Sequence, residues 1–571
     1  MPSQHQNNRA YYILALLFIP LAIGYIIKSL ADLGLIDDQL AAVQAAAVAL
    51  VPTALLLIIV ATAASVLVYL TPDWLEERRQ GMILGLTGRR WRPTWRLRDA
   101  EREAHWLVTG VSGMGKSRLL LALIVQIFWR SDENVVVIDP HGTLIHDVLG
   151  LIGKVITERA SLIIEVGFGR YIYGLDPLRC GRGDDPARRA KAVAQAFASL
   201  YGHSWSDRIQ GYLTGCFQAL IEAGYTLAEA ERFYNDTDFR LFVLDQGTST
   251  ATRNFARTLA KKFPRQLADE TSSVLTKLHD LLASREMCNV VGLVVTNPGY
   301  VRHRQQHLPE YQPRVVDLLT LLARGHPVFV GLTRKSLGGF NVLLAGMIVA
   351  VIGDAVMARD DELATSPIRR VTLIADELQS YATDTVVDII EQARKFRLSL
   401  CASCTTIHTL PDYIRTALLS TRLLVAFQVT TEDADLLARQ LFRRVLARNG
   451  RREAQRDTSV SPGDREAWQT DQLRTTPPRS FWAFSRLRGG EAIQLEALNV
   501  EPDPDLALRE AAREASGRRY GNDRDLVEAE FALREEWLDT KGYLAAPFAP
   551  PAPPTDRRPR RAAPPDANPF A

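Results

Sequence analysis

Trp106-Leu107-Val108-Thr109-Gly110-Val111-Ser112-Gly113-Met114-Gly115-Lys116-Ser117 joins a strand-like apolar run to the pattern G-x-x-x-x-G-K-S. Gly110, Gly113 and Gly115 let the backbone turn with its N–H groups inward, around a phosphate. Lys116 can reach the β- and γ-phosphates, and the Ser117 hydroxyl can ligate Mg²⁺. Val111, Ser112 and Met114 complete the loop. Arg118 opens the apolar run 118–125, which continues as a helix, so Gly110 to Arg118 is expected to bind ATP. A phosphate loop between strand and helix points to an α/β fold with a mostly parallel sheet.

The chain has 571 residues, too many for one ordinary core. Two apolar runs, 11–27 and 40–70, each approach or exceed the roughly 20 residues that span a bilayer. The loop between them carries Asp32, Asp37 and Asp38 against Lys28, whereas seven arginines from Arg78 to Arg98 follow the second run. This asymmetry predicts an inner (cytoplasmic) membrane protein, multi-pass, in contact with lipid, with its N-terminus and ATPase part in the cytoplasm.

Beyond that anchor, 106–109, 135–138, 161–164, 328–332, 371–375, 398–403 and 423–429 read as short buried strands alternating with helices. The β signal fades between 176 and 312, where 187–200, 209–223, 227–233 and 272–284 have helical periodicity. The expected division is therefore an anchor with two transmembrane helices (1–75), a first ATPase part (76–175), an inserted all-α domain (176–312) and a second ATPase part (313–500). A charged helical segment (501–544) and a disordered Pro/Ala/Arg-rich tail (545–571) follow. Residues 481–487 and 492–495 suggest a hairpin around Gly489-Gly490.

The net charge of +3 gives no support for a generally basic nucleic-acid binder, so any such contact must come from local patches. Arg89, Arg90, Arg92, Arg96 and Arg98 interleave with Trp91 and Trp95, a composition that fits lipid headgroups or phosphates and bases. Arg443, Arg444, Arg448, Arg451 and Arg452 form a second basic stretch, and Arg557 to Arg561 a third. Cys401-x-x-Cys404 could be a redox pair or half a zinc site, but it lies in an apolar run without a second ligand pair and reads as buried strand cysteine.

Val371-Thr372-Leu373-Ile374-Ala375-Asp376-Glu377 ends a strand in two acids. Asp376 suits the Mg²⁺ shell, and Glu377 can take a proton from water. A second acidic strand end, Asp139 in Val135-Val136-Val137-Ile138-Asp139-Pro140-His141-Gly142, lacks a neighbouring base. It suits support of metal or water, or a simple turn.

Together these residues resemble the TraG/TraD-type coupling ATPases of conjugative type IV secretion systems, relatives of the HerA–FtsK translocases. The matching elements are the two apolar runs, His105 to Gly110 leading into the loop, Val137 to Gly142, and Asp176-Pro177-Leu178. Leu332-Thr333 with Leu337-Gly338, Asp376-Glu377-Leu378-Gln379 with Ala382-Thr383-Asp384, Glu391 to Lys395, and Leu410-Pro411 follow. The resemblance covers roughly residues 11–500. It implies a P-loop NTPase (RecA-like) sheet with an inserted all-α domain, a homo-hexamer with ATP between subunits, and a channel for single-stranded DNA. A relaxase and type IV secretion channel components are the implied partners. Arg394 becomes the candidate finger for a neighbour's γ-phosphate, its alternative being a solvated arginine at a helix C-terminus. Where such ATPases carry a γ-phosphate-sensing glutamine, this chain has Thr405, which is shorter.

The resulting expectation is an ATP-driven coupling protein that recruits and pumps single-stranded DNA, or a relaxase–DNA conjugate. The rivals are a HerA/FtsK-like motor for protein substrates or chromosomal DNA, and a non-hydrolysing docking platform motivated by Thr405.

Overall fold

The computed structural model describes residues 81–89, 92–130, 133–167, 169–180, 185–357, 369–442, 462–488, 492–502 and 505–545. The apolar runs 11–27 and 40–70, the basic stretch 443–452, Gly489-Gly490 and the tail after 545 lie outside them. Among the described residues no helix is long and apolar enough to cross a membrane. This corrects the expectation of a membrane-spanning, inner-membrane protein.

Within residues 82–571, which form one compact unit, strands β1 (Met82–Arg89), β2 (Arg92–Leu97), β3 (Trp106–Thr109), β4 (Glu133–Asp139) and β5 (Leu162–Glu165) open the chain order. A short β6 (Tyr171–Ile172) stands apart. Then come β7 (Val328–Gly331), β8 (Arg370–Ala375), β9 (Leu398–Cys404), β10 (Leu423–Ala426), β11 (Ser480–Ser485), β12 (Ile493–Glu496) and β13 (Asn522–Asp523). The main sheet runs β2-β1-β12-β11-β10-β3-β9-β8-β4-β7-β5, and β13 pairs with β6 in a second, two-stranded sheet. From β10 to β5 the pairing is parallel. From β10 outward to β2 it is antiparallel.

The parallel strands read as continuous apolar runs because both faces are covered. Val135 and Val137 of β4 enter one core, with Leu119, Ile124, Leu144 and Val148 of helices α1 (Lys116–Phe128) and α2 (Thr143–Glu158). Val136 and Ile138 enter the other, with Val193 and Phe197 of α3 (Pro186–Tyr201) and Leu344 and Ile348 of α4 (Phe340–Met357). Helix α4 is apolar on every side, as a helix enclosed by neighbours must be.

Residues 186–307 are helical apart from turns, and Leu213, Phe217, Val274 and Leu278 share the core of the α3/α4 face. The charged segment after 501 forms α6 (Leu506–Tyr520), whose Ala512 joins the α1/α2 core, and α7 (Arg524–Asp539), whose Trp537 and Leu538 join the α3/α4 core together with Val386 and Ile389 of α5 (Asp384–Gln392). The packing of α7 has a clear reason in charge pairing. Arg534 of α7, 2% exposed, binds Glu229 at 3.0 Å, the Gly292 carbonyl at 2.7 Å and Glu530 at 3.3 Å, and Tyr300 donates to Glu530 at 2.8 Å.

Of the Arg/Trp stretch, Arg89 ends β1, and Arg92, Trp95 and Arg96 lie in β2 at the edge of the sheet. The Trp95 ring is covered by Arg488, whose guanidinium lies 4.0 Å from its centroid and pairs with Glu101. Cys401 and Cys404 are free and buried in β9 on opposite faces of the sheet, which rules out a mutual disulfide or a shared metal.

Candidate active site

Parallel pairing aligns the strand ends that carry chemistry. Thr109 of β3 pairs with Cys404 of β9, Ala375 of β8 with Ala402, and Ile138 of β4 with Ala375. Gly110, Thr405, Asp376 and Asp139 therefore emerge side by side at the C-terminal edge of the sheet, where open α/β sheets place ligands.

The loop Gly110 to Lys116 is held from both sides. Gly110 N donates to the Cys404 carbonyl at 3.2 Å, and Val111 N to the Gln428 carbonyl at 2.7 Å. Gly110 (φ 156°) has no room for a side chain, since a Cβ would lie 2.5 Å from Phe427 Cβ. Gly115, at φ 116°, caps α1 without a side-chain acceptor. The first N–H groups of a 13-residue helix thus stay available to an anion. Ser112, Gly113 and Ser117 are exposed, and Met114 is partly buried.

Lys116 is buried and turns back over its own loop. Its Nζ donates to the Gly110 carbonyl at 2.5 Å and to Thr405 Oγ1 at 3.3 Å. Burial pushes its pKa down, and the nearby Glu377 and Asp376 charges oppose that. The Thr405 hydroxyl in turn lies 2.8 Å from both carboxylate oxygens of Glu377. Glu377 sits in the left-handed region (φ 49°), uncommon outside glycine and often a mark of functional sites.

Asp376 is fixed next to it. Ser403 donates to its Oδ1 at 2.7 Å, and its carbonyl accepts from the Tyr381 hydroxyl at 2.7 Å. Burial, aided by the charges of Asp139 and Glu377, pushes its carboxyl up to about 6 against the Ser403 bond.

Asp139 is fully buried and caps the approach to α2. Its oxygens accept from the backbone N–H of His141 (2.8 Å), Leu144 (2.7 Å) and Ile145 (3.2 Å). Arg118 points away from the loop and donates to the Val500 carbonyl at 2.8 Å. Arg394 lies at the opposite edge of the sheet, in the turn between α5 and the start of β9. Burial, reinforced by the charges of Arg394 and Arg422, holds His105 down to about 4. Arg394 lines a cavity of about 640 Å³ with Arg370, Lys395, Arg397, Glu103 and Glu391. At about 3.3 Å per residue, β9 puts roughly 20 Å between that edge and Thr405.

Three contributors were not among the expected site residues. Ser403 could have been flagged as a hydroxyl inside an apolar strand, one alternation before Thr405. Gln379 gave no signal beyond its place after the acidic pair. Arg479, 362 positions beyond the loop's last residue (479 − 117), donates its N–H to the Met114 carbonyl at 2.8 Å from the lead-in to β11.

No family model and no curated protein matches the chain. Among solved structures it is similar to the bacterial conjugative coupling protein TrwBdeltaN70 in its unbound monoclinic form. There the identity is 15% and the TM-score 0.49, over 72% of this chain and 88% of that one. It is also similar to the plasmid coupling protein TrwB in complex with ADP and Mg²⁺, at 17% identity and a TM-score of 0.48 over 72% and 89%. VirB4 of Thermoanaerobacter pseudethanolicus follows at 15% and 0.44 over 74% and 97%. Such identities and scores decide nothing about chemistry, which must come from the side chains.

Proposed function

We propose that this chain is a Mg²⁺-dependent ATPase of the type IV secretion coupling kind, working as a homo-hexameric ring that moves single-stranded DNA or a relaxase–DNA conjugate toward a secretion channel. The observation that carries the hydrolytic part is the contact chain from Lys116 Nζ through Thr405 Oγ1 to the Glu377 carboxylate, at 3.3 and 2.8 Å. It supports the reading of Lys116 as a phosphate-loop cation and of Glu377 as a proton acceptor working at one point on the sheet edge.

The residues fit ATP and Mg²⁺. A Cβ on Gly113 would meet nothing within 4 Å, so the loop's outer face is open, and the start of α1 lacks a side-chain cap. Gly110, Gly113, Gly115 and Lys116 would hold the phosphates, with Ser117 and Asp376 holding Mg²⁺. The ion, when bound, supplies neutralisation of phosphate charge. Ser403 keeps the Asp376 carboxylate aimed at the edge. Glu377 accepts a proton from the attacking water, and Lys116 opposes charge developing on the transferred group.

Arg394 supports a ring. At the far edge of its own sheet it is too distant to serve its own site, yet exposed in a cationic cavity it can meet a neighbour's phosphate. The order of motifs from His105 to Pro411 supports the DNA cargo and the secretion partners.

The test is ATP turnover by the full chain with and without single-stranded DNA. The reading expects turnover to rise with DNA. A rate indifferent to DNA of any length would remove DNA as cargo and leave the protein-handling motor.

A further inference from the structure

We propose that Gln379 is a positioning residue for hydrolysis, its side-chain amide tying the Glu377 carboxylate to the backbone at the end of β9 so that the two move as one unit. The proposal rests on the ATPase reading above.

Thr405 N donates to Gln379 Oε1 at 3.2 Å, and Gln379 Nε2 donates to Glu377 Oε2. The orientation of this amide is determined by its partners. A flip would set N–H against N–H on one side and oxygen against carboxylate on the other. Gln379 is partly buried in the short 3-10 turn Leu378–Ser380, whose Leu378 is anchored in the core.

Glu377 needs this second hold. The Thr405 hydroxyl has one proton for two carboxylate oxygens at equal distance, and a single shared donor leaves the carboxylate free to rotate about that contact. A second donor from a different direction fixes its plane. A proton acceptor misplaced by about 1 Å loses about a hundredfold in rate, so fixing the plane matters.

The same amide reaches Thr405, the residue that touches Lys116. Lys116 touches Thr405 Oγ1 while Gln379 holds Thr405 N, so a phosphate that draws Lys116 outward shifts the residue to which Gln379 is bound. Gln379 passes that shift to Glu377.

The test compares full-length wild type with Gln379→Met, which keeps the length of the side chain and removes both bonds, and Gln379→Glu, which keeps an acceptor for Thr405 N and loses the donor to Glu377. The measurements are kcat, KM, the ATP dissociation constant and the thermal midpoint. Both variants are expected to lose about tenfold to a hundredfold in kcat, with KM and ATP affinity within about twofold and folding unchanged. Combined with Thr405→Val, the loss for Gln379→Met is expected to be less than multiplicative, because both act through Glu377.

A Gln379→Met protein with wild-type kcat overturns the proposal. So does a kcat loss matched by a loss of folded protein, or one that multiplies fully with Thr405→Val. Wild type that turns over no ATP sinks the ATPase reading and this proposal together, whereas active wild type with an unaffected Gln379→Met sinks only the role of Gln379.

Discussion

Thr405 places its hydroxyl 2.8 Å from both carboxylate oxygens of Glu377 and 3.3 Å from Lys116 Nζ, and so stands between the proposed base and the proposed phosphate-binding cation. Thr405→Val has the same shape without the hydroxyl. It is expected to lower kcat about tenfold or more while ATP affinity stays within about twofold, and Thr405→Ser should retain most activity. Steady-state kinetics with a fluorescent nucleotide titration separate the two quantities.

Asp376 gives a pH signature. Burial raises its folded pKa to about 6, above the unfolded value near 3.9. Between those values the folded chain holds a proton that the unfolded chain has released. The stability contributed by this group is therefore fully present below about pH 4 and lost as pH rises through about 6. Without nucleotide, wild type should lose thermal stability relative to Asp376→Asn as pH goes from 4 to 7. Mg²⁺ with ATP should then stabilise wild type more than Asp376→Asn, which keeps the phosphate loop and Ser117 but lacks the second carboxylate-side hold on the ion. A constant gap between the two melting curves would contradict the assignment.

Arg394 makes a prediction about mixtures. Arg394→Ala and Lys116→Ala should each be inactive alone, by about 10³-fold for the arginine if it acts as a finger. Mixed rings should regain activity, because some interfaces then pair an intact Arg394 with an intact Lys116. Failure of every mixing ratio to restore turnover, in rings shown to be mixed, would return Arg394 to the role of a solvated helix-end arginine.

Arg534 tests the architecture apart from the chemistry. Its guanidinium is buried between Glu229 and Glu530, so Arg534→Met leaves two buried acids without their partner. A loss of about 3–5 kcal/mol is expected in denaturant titration.

What the sequence disclosed follows contiguity. The loop from Gly110 to Ser117 and the pair Asp376-Glu377 were legible because each motif is contiguous and follows a buried apolar strand. Their meeting depends on β9 lying between β3 and β8, a long-range pairing that no local pattern encodes. The same holds for Ser403, Gln379 and the Arg479 backbone, each of which acquires its role only when a distant element is laid alongside. Trp95 shows the same limit, since its ring is covered by Arg488, hundreds of positions later, a contact that no local pattern encodes. Arg118 directly follows the loop, yet its side chain is used on Val500. The helices between 186 and 307 were legible from periodicity, while their shared core with the sheet was not.

The central claim is that Glu377 takes the proton of the attacking water at a site whose phosphates are held by Lys116. Single-turnover hydrolysis by Glu377→Gln at saturating ATP and Mg²⁺, against wild type with bound nucleotide quantified in both, tests it most directly. The account predicts equal nucleotide occupancy and a hydrolysis rate lower by about 10²–10⁴-fold in the variant. Equal rates in the two proteins would contradict it, and equal, negligible rates with full occupancy would make the chain a nucleotide-bound docking platform.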